Sequence, residues 1–244
     1  MFPASPAALC SRCPRSLESL SMTQATNDPD ITMLARVART AGDIGSTGNV
    51  ELPTLDGRGT LTQARYQVLP QSGTAIIDAV GVLGTGGTAT HPLDTYGLGV
   101  LLADAATRAV RTVVLVDRGL GATDCGLGLA LALAAPPLSA TARPVAPLQA
   151  PYDTVDHLDM AQLNVPAAAL RLLIVTEQAP LTESAAAQLG VDRLAQALDL
   201  DAASLPDARA AGGLAIVSLS LAAAITGTAS SVQDLVTITQ LPEN

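Results

Sequence analysis

The chain has 244 residues, 48% of them hydrophobic and 2% aromatic, with a formal net charge of −9. That is enough apolar side chain to pack one large domain or two small ones, which excludes disorder as the default. The negative balance argues against nucleic acid and anionic membrane as partners, since both call for a positive field.

In chain order, residues 1–22 contain Arg12 and Arg15 but no apolar run long enough for a secretory signal. They read as a mis-started or disordered segment, with Met22 as a sensible start, ahead of a single domain over residues 23–244. Cys10 and Cys13 have neither a second pair nor a His partner, so they do not spell a zinc site. Three cysteines are too few for a disulfide framework, which fits the cytoplasm. All 13 basic residues are Arg, so any cationic contact to a phosphate falls to a guanidinium.

Ile31–Ala41 is weakly helical, and Thr40–Gly48 is turn-rich. Strands are predicted at Val50–Leu52 (ahead of Pro53) and at Leu61–Leu69, separated by an Asp56-Gly57 turn. Pro70–Gly73 turns again into a third strand candidate, Thr74–Val80. Gly81–Thr90 reads as a flexible Gly/Thr connector, with a ligand-wrapping loop as the alternative.

The next stretch, Thr95–Ala135, carries the most information. Leu98, Leu101, Leu102 and Ala105 recur at helical spacing. Thr112–Asp117 is a β-branched and aliphatic run, as expected of a buried strand. Gly119, Gly121, Gly126 and Gly128 then crowd a turn that opens a second apolar helix. Such a turn can bring unpaired backbone N–H groups to the edge of a sheet, where glycines let a phosphate or carboxylate approach. Pro136–Pro151 holds five prolines and reads as a loop. Tyr152–Ala169 is polar and then weakly helical, Arg171–Thr176 is another apolar strand, and Leu181–Leu198 has helical spacing. Ala211–Val232 carries no charge, and reads as a buried helix or, alternatively, a membrane span. The expected fold class is α/β, a mixed sheet with antiparallel hairpins followed by helix-strand units.

Asp94-Thr95-Tyr96-Gly97-Leu98-Gly99, the strand Val113–Leu115, and Gly119, Ala122-Thr123, Asp124, Gly126 and Gly128 resemble the signature of the bacterial glycerate kinases of the two-domain type. Ala64-Arg65-Tyr66, Ala75-Ile76-Ile77-Asp78-Ala79 and Ala210-Ala211-Gly212-Gly213-Leu214 match further blocks of that family. The resemblance covers roughly residues 52–240 and corresponds to the family's central inserted domain. Asp117-Arg118-Gly119-Leu120-Gly121 departs from the family's G-I-G-G-S, and Cys125 replaces a Gly. The Lys-bearing and acidic motifs of the family's other domain have no counterpart in this sequence.

The resemblance implies ATP-dependent phosphorylation of glycerate, with ATP and Mg²⁺ as cofactors and a small organic acid as substrate. It also implies a degenerate and truncated form, weakly active or inactive alone, unless a second polypeptide or another copy supplies the missing wall of the cleft. It makes Asp124 and Asp78 the candidate catalytic carboxylates. Tyr96, Gly97, Arg118, Gly119, Gly121, Thr123, Gly126, Gly212 and Gly213 become the candidate nucleotide- or anion-binding positions; no metal ligand is assigned. For Asp124 the other reading is a helix N-cap, and for Arg118 an exposed turn residue. Cys125 reads as a small apolar filler, with a thiol nucleophile as the alternative. His91 and His157 read as loop or surface residues. The non-catalytic alternative for the whole chain is a pseudo-kinase or a small-anion-binding module.

Overall fold

The structure is a computed structural model, and it describes residues 48–86, 91, 93–117, 124–146, 154–176, 192–200, 213–214, 216–218, 220–221 and 236–238. The predictions at 1–22 and Ile31–Ala41 lie outside those residues, as does most of Leu181–Leu198, of which 192–197 is helical.

Strand β1 (Asn49–Leu55) pairs antiparallel with β2 (Leu61–Leu69), in register from Asn49↔Gln67 to Leu55↔Leu61. β1 runs on through Pro53, beyond the predicted Val50–Leu52. It can do so because β1 is an edge strand, where a residue without an N–H is tolerated. In the connecting turn the Asp56 carboxylate accepts from the N–H groups of Arg58 and Thr60, at 2.9 and 2.8 Å. β2 has the predicted bounds and turns Ala64 and Tyr66 into the core.

Strand β3 (Thr74–Asp78) pairs antiparallel with β2 and ends two residues short of the predicted Thr74–Val80. The reason is Asp78, whose side chain accepts from the N–H groups of Val80 and Gly81 and so starts α1 (Ala79–Leu83). The first part of the stretch expected to be a connector, Gly81–Leu83, is therefore helical. α2 (Tyr96–Ala106) follows, then β4 (Thr112–Asp117) and α3 (Leu127–Ala132). The proline-rich stretch expected to be a loop contributes β5 (Pro137–Leu138), which pairs with β6 (His157–Leu158). α4 (Val165–Ala168) leads into β7 (Arg171–Thr176), and β8 (Val236–Ile238), not foreseen from the sequence, completes the order.

Among the described residues the main sheet has six strands in the order β1-β2-β3-β4-β7-β8. β3, β4, β7 and β8 are mutually parallel. The architecture is thus mixed α/β, with hairpins first and helix-strand units after. Two cross-strand rows, Ala75-Val113-Leu172 and Ile77-Leu115-Ile174, belong to the same buried cluster as Leu98, Leu101, Leu129 and Leu214. On the opposite pleat Ile76, Val114 and Leu173 are buried as well. Burial on both faces explains why these strands read as unbroken aliphatic runs.

The alternating strand directions set one edge of the sheet apart. β1 and β3 run the same way, so the β1–β2 turn lies at the edge where β3, β4 and β7 end. The turn is tied there: Gly57 N–H donates to the Leu83 carbonyl at 3.0 Å, and Asp94 N–H donates to the Gly57 carbonyl at 2.9 Å. Among the described residues no helix is long and apolar enough to cross a membrane.

Candidate functional site

Asp78 closes β3, and the buried Asp117 closes β4 at the same edge. The start of α2 is tied to the same edge, since Asp94 N–H donates to the Gly57 carbonyl and Gly97 packs against the Leu55 carbonyl. Asp124, the first described residue after β4, is completely buried. Its carboxylate accepts from Gly128 N–H (2.6 Å), Gly126 N–H (3.0 Å), Thr95 N–H (3.2 Å) and the Thr95 hydroxyl (2.8 Å). The Thr95 hydroxyl oxygen in turn accepts from Leu129 N–H at 2.9 Å. One carboxylate and one hydroxyl therefore fasten the beginning of α2 to the beginning of α3.

This arrangement accounts for every donor at the start of α3. The first N–H groups of a helix have no partner within the helix. Here Gly126 and Gly128 use the Asp124 carboxylate, Leu127 uses the Asp124 carbonyl, and Leu129 uses Thr95. The expectation that this helix start presents unpaired N–H groups to an anion is thereby corrected. Its glycines serve close packing instead. A Cβ on Gly128 would stand 2.7 Å from both the Asp124 carboxylate and the Tyr96 nitrogen, and closer still to the Asp94 carboxylate. Gly126 sits at φ +86°, with the Leu214 and Val217 side chains 3.1 Å from where its Cβ would be.

Asp94 also lies beside the Cα of Gly128 and accepts from Tyr96 N–H at 2.7 Å. Burial pushes its carboxyl above the ordinary value, against the pull of that bond. Asp124 is raised further, to about 6, by burial first and by the Asp94 charge second, with the bonds from Thr95 and Gly128 opposing. A completely buried carboxyl and a half-buried one beside it thus both resist ionisation.

The profile of the Glycerate kinase family matches residues 35–187, more than half of the chain. The chain belongs to the glycerate kinase family. Among solved structures it is similar to a protein provisionally designated glycerate kinase 2 from Salmonella typhimurium LT2, with 20% identity and a TM-score of 0.55. That likeness covers 76% of this chain and 57% of the other, and it supports the fold. The chain therefore spans little more than half the length of that protein. No curated protein matches it significantly.

On this glycerate kinase-family fold, the positions singled out in the sequence fall into three groups. Asp124, Tyr96, Gly97 and Gly126 meet around the Thr95 knot. Gly97 packs against the Leu55 carbonyl, and the buried Gly213 begins the helical segment that leans on Gly126. Asp78 lies at the same sheet edge, where it caps α1. Arg118, Gly119, Gly121, Thr123 and Gly212 lie outside the described residues. Cys125 is buried with φ +56°, and His157 is exposed and bonded to Asp156 at 2.9 Å.

Sequence reasoning passed over Asp94 and Thr95 as functional groups, although both belong to the matched motif. The available signal was a Thr directly ahead of an apolar helix, the ordinary mark of a capping residue. Asp117 was also passed over, taken only as a departure from the family pattern.

Proposed function

We propose that the chain works as a glycerate kinase-type phosphotransferase unit, transferring a phosphoryl group from ATP to a hydroxyl of D-glycerate. The observation that carries this reading is the family match over residues 35–187, supported by the bonds that join its described signature residues Thr95, Asp124, Gly126 and Gly128. In this reading Asp78 faces the acceptor hydroxyl. Tyr96, Arg118, Gly119, Gly121, Thr123 and Gly212 are proposed as the nucleotide- and anion-contacting residues of one cleft wall, whereas Gly97, Gly126 and the buried Gly213 serve close packing. Asp124 holds the start of α2, with Tyr96, in place. Transfer of this kind depends on positioning and charge stabilisation, so one wall alone gives a slow reaction. A second polypeptide or another copy of the chain supplies the facing wall. The proposed setting is the cytoplasm.

Among the described residues no three His, Cys, Asp or Glu side chains gather to hold a metal ion. Mg²⁺ has no dedicated cage in them, and none of its chemistry is assigned to these residues.

A second reading, a non-catalytic small-anion-binding module, is favoured by one specific observation. Asp124, a carboxylate that the resemblance makes a catalytic candidate, is completely buried and accepts four bonds from within the protein. Calorimetry of the whole chain with ATP and Mg²⁺, followed by assay of glycerate-dependent ADP release, separates the two. The phosphotransferase reading expects heat with ATP, and slow ADP release that Asp78→Asn abolishes. Heat with glycerate or phosphate but none with nucleotide would turn the assignment to the binding module. Silence with all of them would remove both.

A further inference from the structure

We infer that Thr95 is a positioning residue: by bridging Asp124 and Leu129, its hydroxyl sets the start of α2 against the start of α3. This rests on the proposed function only in so far as the start of α2, with Tyr96, faces the ligand. The geometry itself is independent of that reading.

Three features of the knot support the inference. The first is that Thr95 is fully buried and its hydroxyl works in both directions, donating to Asp124 at 2.8 Å and accepting from Leu129 N–H at 2.9 Å. No rotation of the hydroxyl keeps both bonds with Asp124 and Leu129 elsewhere, so it fixes a spacing and does more than fill a cavity. The second is that Asp124 reaches both helices at once, through Thr95 N–H on one side and through Gly126 and Gly128 N–H on the other. The third is that the helices have no slack at this point. Gly99 of α2 faces the Leu129 carbonyl and the Ala132 side chain, 2.7 and 2.6 Å from where its Cβ would be, and Gly128 leaves no space beside Asp94 and Tyr96. A packed core has discrete arrangements and does not deform continuously. Loss of the hydroxyl would therefore move the start of α2 as a unit, and Tyr96 with it.

The role of Asp124 changes accordingly. Enclosed and fully bonded, it touches no substrate and acts through Thr95 and Tyr96. It is a positioning carboxylate where the family resemblance suggested a catalytic one.

Thr95→Val, Thr95→Ser and wild type provide the test. Val keeps the shape and loses both bonds, whereas Ser keeps the hydroxyl. Calorimetry with ATP and Mg²⁺ is run well below each protein's unfolding midpoint. Backbone amide exchange is followed on the same samples. The inference expects Val to weaken nucleotide binding tenfold or more and Ser to return it to within about threefold of wild type. It also expects exchange in Thr95→Val to rise at least tenfold at residue 95 and Tyr96, around the start of α2, together with Gly126, Gly128 and Leu129, around the start of α3. Wild-type affinity in Val, or faster exchange confined to Leu129, would overturn it. If wild type itself binds no nucleotide, the proposed function fails, and the exchange pattern alone decides whether Thr95 holds the two helices in place.

Discussion

Replacing Gly128 by Ala tests the knot most directly, because propensity and packing pull in opposite directions. Residue 128 lies in α3, where Ala is preferred over Gly by about 1 kcal/mol on propensity alone. The added methyl, however, would sit 2.7 Å from the Asp124 carboxylate and from the Tyr96 nitrogen, and nearer still to the Asp94 carboxylate. Overpacking of this kind costs about 1–3 kcal/mol. If Asp124 or Asp94 moves away, a bond to an ionised group is lost from Gly128 or Tyr96, at about 1.5–3 kcal/mol. After the propensity gain the net loss is about 1.5–5 kcal/mol. That is a large fraction of the roughly 5–15 kcal/mol that holds a typical domain folded.

The control is Gly81→Ala in α1, where the nearest atom to the new Cβ is 3.6 Å away. It should gain about 0.5–1 kcal/mol. Urea denaturation followed by circular dichroism measures both, as midpoints at unchanged slope. A Gly128→Ala midpoint equal to or above wild type would refute the packing of α2 against α3 described above.

The pH dependence of stability carries a second prediction. The Asp124 carboxyl is raised from 3.8 to about 6, so folding takes up a proton between those values. Its contribution is fully present below about pH 4 and is lost as pH rises through 6, with a span of about 3 kcal/mol at 1.4 kcal/mol per pKa unit. Asp94, raised by burial, adds in the same direction. The stability advantage of wild type over Asp124→Asn should therefore shrink between pH 4 and 7, and parallel profiles would count against a strained carboxyl pair. A third prediction concerns the buried Tyr66, whose hydroxyl donates to Asp104 at 2.6 Å while Arg108 holds the same carboxylate at 2.8 Å. Burial, then the Asp104 contact, keeps the phenol above its ordinary range and thus protonated. Tyr66→Phe should cost about 1–2 kcal/mol in urea denaturation, since Asp104 retains its Arg108 partner; an unchanged midpoint would show the bond to be incidental.

What the sequence made legible follows from burial. Thr112–Asp117 and Arg171–Thr176 have the predicted bounds because strands covered on both faces cannot alternate, and their aliphatic runs are unmistakable. Leu61–Leu69 was readable for the opposite reason, since one face is wet and its residues alternate. The boundary at Asp78 was missed because the aliphatic run Ala75-Ile76-Ile77 resumes at Ala79-Val80, so that the single Asp78 reads as one outward-facing position of a longer strand. Only a side-chain bond to two N–H groups marks the change from strand to helix. The Thr95–Asp124 contact joins residues 29 apart, and no local pattern encodes that pairing. The glycines of the turn were noticed for the right reason, close approach, but what approaches Gly128 is the protein's own pair of carboxyls and the start of α2. The family match reached the correct fold without revealing that Asp124 is enclosed.

Among the described residues β1 is the rim of the sheet, and that position bears on how the molecule behaves in crowded solution. A free strand margin invites a neighbouring chain to dock and extend the sheet. Here an incoming strand would meet Pro53, which has no hydrogen to offer, and the solvated Glu51–Arg65 ion pair, whose water it would have to strip away. These residues discourage lateral stacking of one molecule on the next, so Pro53→Val together with Glu51→Val should leave the fold intact and make the protein prone to fibrous self-association.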